Sequence, residues 1–258
     1  MIGESLFGLA LCFSWANSAG HVLLADRPIY AASSHQIVRG VAARRIALFV
    51  LASLGFAGTL WVWMASGWPR LGAIAVLLVL LAVRQIEKRQ WPAGMVVRLG
   101  KYVPAAACLL GWVTAATLVG ALGYSEPASR AAGWEAAAGV MAALYPLAAL
   151  SKIKLTGWRW MKPHHQALLI AERAYSGPRW VRALRRIAGR SPRFSAFVGT
   201  FGLLAEVACV LYVVPDLRVL LTATVIALHA GIGILLGYME PEWLLVMVAI
   251  TWITGAAG

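Results

Sequence analysis

Long apolar stretches alternate with short charged segments along the whole of this chain. Uncharged runs occupy residues 5–25, 46–69, 71–83 and 102–125, and 131–151 follows with Glu135 near its start. After a basic segment, 194–215 holds Glu206 as its one charge, 219–239 holds none, and 243–258 closes the sequence. A helix crossing a bilayer needs roughly 20 apolar residues. Run 71–83 is the short member, and by length alone it fits a re-entrant or buried segment as well as a span. Charge decides for a span. When the loops after the odd-numbered runs share one side, that side collects every one of the 23 lysines and arginines except Arg70, Arg130 and Arg218. That is the positive-inside bias. Removing the third run would place the first basic loop across the membrane from the later ones.

The pattern therefore predicts an all-α integral membrane protein of about eight transmembrane helices, forming a single helical domain over 1–258. Both termini lie outside the cytoplasm, and a bacterial inner membrane is the expected location. The Glu4 side chain and the lack of a basic leader argue against a cleaved signal peptide.

The basic segment 152–193 is more than a linker. Residues 166–175 and 179–187 both read as helical. In the second, Trp180, Val181, Leu184 and Ile187 fall on one face, with Arg179, Arg182, Arg185 and Arg186 on the other. This is the pattern of a cytoplasmic interfacial helix, apolar side in the acyl boundary and arginines among anionic headgroups. It serves either as a membrane-surface stabiliser or as a grip for the phosphates of a lipid or prenyl diphosphate.

Composition agrees with this reading. Hydrophobic residues make up 61% and charged residues 13%, the latter about half the soluble average. The net charge of +13 lies between apolar runs, which points to membrane lipids rather than nucleic acid. Cys12, Cys108 and Cys209 are isolated within apolar runs, so neither a disulfide framework nor a thiol redox pair is indicated.

Ionisable groups within spans are costly and point to function. Lys152 ends the fifth run. It either snorkels to the interface or sits in a dry pocket, where desolvation favours the neutral amine and makes a base. Pro146 leaves the carbonyl of Ala142 without its helical partner, which predicts a kink, and Gly157-Trp158 predicts that the chain turns back. Glu206 and His229 lie mid-span, either as structural hydrogen-bonding groups or as an acid and an imidazole of the same pocket. Tyr212, Thr222 and Thr224 are candidates to satisfy them. Ser14, Asn17 and His21 share one helix face and form either an interhelical network or a further wall of that pocket. The expected catalytic set is Lys152, Glu206 and His229, with Ser14, Asn17, His21, Tyr145 and Trp158 as substrate contacts. No metal is expected. Five histidines, with His164-His165 as the one adjacent pair, are too few for a di-iron centre, and Asp26 and Asp216 provide no DxxxD magnesium site. Neither a P-loop nor a GxSxG motif is visible.

The element Leu150-Ser-Lys-Ile-Lys-Leu-Thr-Gly-Trp158 resembles the G-[IL]-S-K-L-x-x-G-W element of the vitamin K-dependent gamma-carboxylase-like transmembrane proteins, also called the horizontally transferred transmembrane (HTTM) family. The later stretch Glu206 … Pro215-Asp-Leu-Arg218 … Ala227-Leu-His229-Ala-Gly-Ile-Gly233 is similar to that family's E-x-x-[FL] … P-x-L-R … [AY]-[FL]-H-x-G order. The resemblance covers residues 145–240. It implies that Lys152 is a base that deprotonates a reduced quinone cofactor, in a helical pocket open to membrane-dissolved quinones or isoprenoids. The long lumenal domain of the animal carboxylases has no counterpart here and residues 1–130 show no match, which argues against glutamate carboxylation of secreted proteins. The favoured expectation is a metal-independent membrane enzyme performing acid/base chemistry on a lipophilic substrate, with proton-initiated isoprenoid cyclisation by Glu206 as a variant. The alternatives are a non-enzymatic membrane partner for maturation of, or immunity to, a secreted peptide, and a small-molecule carrier. The carrier is weakened by the lack of internal repeats.

Overall fold

A computed structural model describes residues 4–16, 69–90, 103–175, 177–236 and 241–255, together with some positions between 50 and 61. Among these residues the secondary structure is helical, with no strand. In hydrocarbon this is the expected solution, because a helix satisfies its own backbone hydrogen bonds. The helices are α1 (Glu4–Ala16), α2 (Pro69–Gln90), α3 (Val103–Ala121), α4 (Glu126–Thr156), α5 (Pro163–Glu172), α6 (Arg179–Arg190), α7 (Pro192–Ala208), α8 (Arg218–Leu236) and α9 (Pro241–Gly255).

Among the described residues, four segments are long and apolar enough to cross a membrane: Val103–Ala121, Glu126–Met161, Pro192–Val213 and Pro215–Leu236. The described residues are thus all-helical, and these apolar helices mark an integral membrane protein. Of the other expected spans, Glu4–Ala16, Leu71–Ala82 and Pro241–Gly255 are shorter apolar helices. Most of run 46–69 lies outside the described residues. The helix containing run 71–83 extends past its charged flank to Gln90.

Packing divides the chain into two compact units, Met1–Ala137 and Ala138–Gly258, where the sequence pattern suggests one domain; the boundary falls inside α4. In the first unit, α2 packs on α3. Phe7 meets Trp134 edge-on at 5.2 Å, and Trp134 lies 5.8 Å from the fully buried Trp112. Gly133 makes that approach possible, since a Cβ there would lie 2.8 Å from the Trp112 indole. An ion pair between Glu4 and Arg130 joins α1 to the start of α4.

In the second unit, α7 packs against α5 and α6, and α8 contacts α6, α7 and α9. Ile170, Ala188 and Leu235 form a small core, with Val198 and Leu236 against it. Ser191 caps α7, accepting a hydrogen bond from the Phe194 amide at 3.3 Å, with Pro192 in the first turn. Two buried arginines fasten helix ends. Arg218 donates from Nε to the Tyr212 carbonyl at 3.1 Å, closing the 3₁₀ turn Cys209–Val213 that follows α7. Arg185 donates to the Ile234 carbonyl at 2.7 Å and to the Arg173 carbonyl at 2.9 Å. Those carbonyls lie at the C-terminal ends of α8 and α5, where helices leave acceptors unsatisfied and favour cations.

This corrects the sequence-based assignment of α6. Arg185 is buried with Val181 and Ala188, while Trp180, Leu184 and Ile187 face outward. The helix remains amphipathic, with one arginine turned inward. Replacing Arg185 by Met should therefore cost about 2–3 kcal/mol, since two helix-end carbonyls lose a charged donor. Arg186→Gln, one residue on and exposed, should change stability by less than about 0.5 kcal/mol. Thermal unfolding of the purified protein measures both; equal effects would contradict the buried cap.

Candidate functional site

The second half of α4 carries the candidate chemistry. Tyr145 and Lys152 are seven residues apart, so they share a helix face at a separation of about 10 Å along the axis. Pro146 lies inside the continuous helix. α4 ends before Gly157, whose φ of +60° lies in the left-handed region, and the 3₁₀ turn Gly157–Met161 follows.

At the lower end of this face, the Lys152 ammonium pairs with the buried Glu206 carboxylate from α7. The Trp160 ring covers the ammonium at 5.3 Å, within cation–π range. Trp160 is set by its neighbours. Its carbonyl accepts from the buried Gln166 amide at 2.9 Å, and its ring lies 5.3 Å from that of His165. Gly199 on α7 makes room for this turn, because a Cβ there would lie 2.6 Å from the Trp160 carbonyl oxygen. Two turns along α4, the Tyr145 hydroxyl lies 3.4 Å from Nε2 of His229 on α8. Either the phenol donates to a bare Nε2, or Nε2–H donates to the phenol oxygen. Trp243 of α9 packs edge-on against Tyr145 at 5.2 Å.

Lys152, Glu206, His229 and Tyr145 therefore assemble along one face of α4, as two pairs rather than as a single triad. Lys152 finds its counter-charge 54 positions away in sequence. Of the other expected contacts, Trp158 and Ser14 are described. Trp158 is 65% exposed and turned outward, and Trp160 takes the place over the lysine. Ser14 belongs to the first unit and donates its hydroxyl to the Ala10 carbonyl of its own helix at 2.7 Å. Asn17 and His21 lie outside the described residues.

The hydroxyls expected near Glu206 or His229 make bonds of their own. Thr222 shares a 2.7 Å hydrogen bond with Thr251, Tyr212 a 2.6 Å bond with the same hydroxyl, and Thr224 donates to the Leu220 carbonyl at 2.9 Å. That network ties α8 and α9 to the 3₁₀ turn after α7.

Trp160, Gln166, Gly199 and Trp243 escape sequence reading. The signal for Trp160 was the glycine stop, which opens the 3₁₀ turn that carries it. Glu242, in the first turn of α9, is also buried, at a helix end that favours carboxylates. Among the described residues, no group of three His, Cys, Asp or Glu side chains lies close enough to hold a metal ion.

Chemically, the pair sets a proton donor, the ammonium, against a proton acceptor, the carboxylate, and its zero net charge leaves no lone ion buried. Comparison with protein-family models, with characterised proteins and with solved structures finds no match.

The close contact at Gly199 yields a direct test. Gly199→Ala should displace the Trp160 carbonyl and cost about 1–3 kcal/mol by overpacking. Gly231→Ala, where nothing lies within 4 Å of the added methyl, should cost no stability. Unfolding midpoints of the two variants distinguish them.

Proposed function

We propose that this chain is an integral-membrane enzyme performing metal-independent acid/base chemistry on a membrane-dissolved lipophilic substrate of isoprenoid or quinone type. The observation that carries the reading is the Lys152–Glu206 pair under Trp160, two helical turns from Tyr145–His229 on the same face of α4. An ion pair of this kind within a span is a weak source of stability, since desolvation offsets most of the attraction. Its value lies in the reactive forms it can supply. After internal proton transfer, the Lys152 amine is the base for a hydroxyl, such as that of a reduced quinone. The Glu206 carboxylic acid is the donor for an isoprenoid double bond, the step that begins a cyclisation. His229, its ring oriented by Tyr145, is the second proton-handling group. The resemblance of 150–158 to the gamma-carboxylase-like element supports Lys152 as the base.

The finer topology belongs to the same proposal. Eight spans place both termini outside the cytoplasm of a bacterial inner membrane, with 152–193 on the cytoplasmic side. In a cysteine-free background, Asp216→Cys should react with an impermeant thiol reagent in intact cells, and Arg190→Cys should react after the membrane is opened. The reverse pattern would overturn the orientation.

A second reading has its own support, because the same pair is a sufficient interhelical staple for a non-enzymatic membrane partner. Variants separate the two. Lys152→Met should destabilise by about 3–5 kcal/mol, as Glu206 loses its counter-ion. The double change Lys152→Met/Glu206→Gln should restore most of that stability, because no lone charge remains. An enzyme made with the double change should fold yet lose turnover, read as a quinone or isoprenoid species present in wild-type membranes and missing from the variant's. Lipid profiles that are identical with wild type, with the double variant and without the protein would refute the enzyme and leave the staple.

A further inference from the structure

Between Glu172 and Glu206 the chain carries seven arginines, no lysine and no acidic residue. Guanidinium groups suit phosphate through bidentate hydrogen bonding. The structure sorts these arginines by role. Arg185 turns inward and is bonded to two helix ends, which fixes the roll of α6. At 100° per residue, Arg179, Arg186 and Arg190 then line up along one edge of the helix (i, i+7, i+11), spanning about 16 Å. All three are exposed. The adjoining arc holds Trp180, Leu184 and Ile187, which are 62%, 39% and 67% exposed. The remaining arc, Val181, Arg185 and Ala188, packs into the protein. The helix directly precedes α7, whose own apolar residues Phe197 and Leu204 face outward.

We infer that α6 is a docking surface for the phosphate diesters of anionic phospholipids in the leaflet at this end of α7. The arginine row lies at phosphate level while the apolar arc dips into the acyl boundary. Charge complementarity supplies the attraction, and no carboxylate within 173–205 competes for the guanidiniums. The apolar arc selects the source, because free phosphate in water would leave Trp180, Leu184 and Ile187 uncovered. The inference rests on the membrane-spanning character of α7 and is independent of the chemistry proposed for Lys152.

The test uses the full chain in lipid nanodiscs, with amide hydrogen exchange read over α6. Discs containing phosphatidylglycerol should slow exchange there relative to phosphatidylcholine alone, by roughly fivefold per engaged arginine, and the difference should shrink in high salt. Arg179→Gln/Arg186→Gln/Arg190→Gln, with Arg185 kept, should abolish the lipid dependence, and Trp180→Ala/Ile187→Ala should weaken it. Equal exchange of the wild type in both discs would overturn the inference without recourse to any variant. So would lipid-dependent protection that survives the triple change, or full protection by inorganic phosphate in phosphatidylcholine discs. Product profiling of the same variants reads the Lys152 chemistry separately.

Discussion

A charge carried into hydrocarbon must meet a counter-charge or a set of oriented dipoles, and the unit Ala138–Gly258 is arranged around that demand. Glu206 sits inside an apolar helix and receives Lys152 from α4. The pair is neutral as a whole, which makes its burial tolerable. Trp160 then covers the ammonium with the face of its ring, adding attraction without adding charge. The glycine stop at Gly157, the Gln166 clasp and the gap left by Gly199 all act on the turn that holds this ring in place. Several otherwise unrelated features of α4, α5 and α7 thus serve one contact.

The same demand operates at the helix ends. A helix of this length closes its interior bonds by itself but leaves its last carbonyls exposed to whatever surrounds them. Within the second unit those carbonyls receive arginines. Arg218 closes the turn after α7, and Arg185 bridges the ends of α5 and α8. An arginine used in this way ceases to be a surface charge and becomes a structural bolt, which is why α6 has a defined roll and a defined outer face.

The Lys152–Glu206 pair has a total charge of zero, so its burial leaves no lone ion to be solvated. The Tyr145–His229 contact, two turns along the same helix, is a second polar pair. One helix face therefore carries two polar pairs within the second unit.

The helical class and its apolar segments were legible from composition and run length, because hydropathy is a sum over neighbours in sequence. The four long apolar helices among the described residues, the helix stop at Gly157 and the amphipathic 179–190 segment all follow from such local sums. The candidate residues were legible too, since Lys152, Glu206 and His229 stand out against an apolar background. Their pairing was not. The partners lie 54 and 84 positions apart, and no local pattern indicates which charge reaches which. Nor does a helical pattern separate Arg185 from Arg186, or Trp158 from Trp160. In each case the choice fell to whichever residue faced an unsatisfied carbonyl or an ammonium on another helix, and only tertiary packing places those groups.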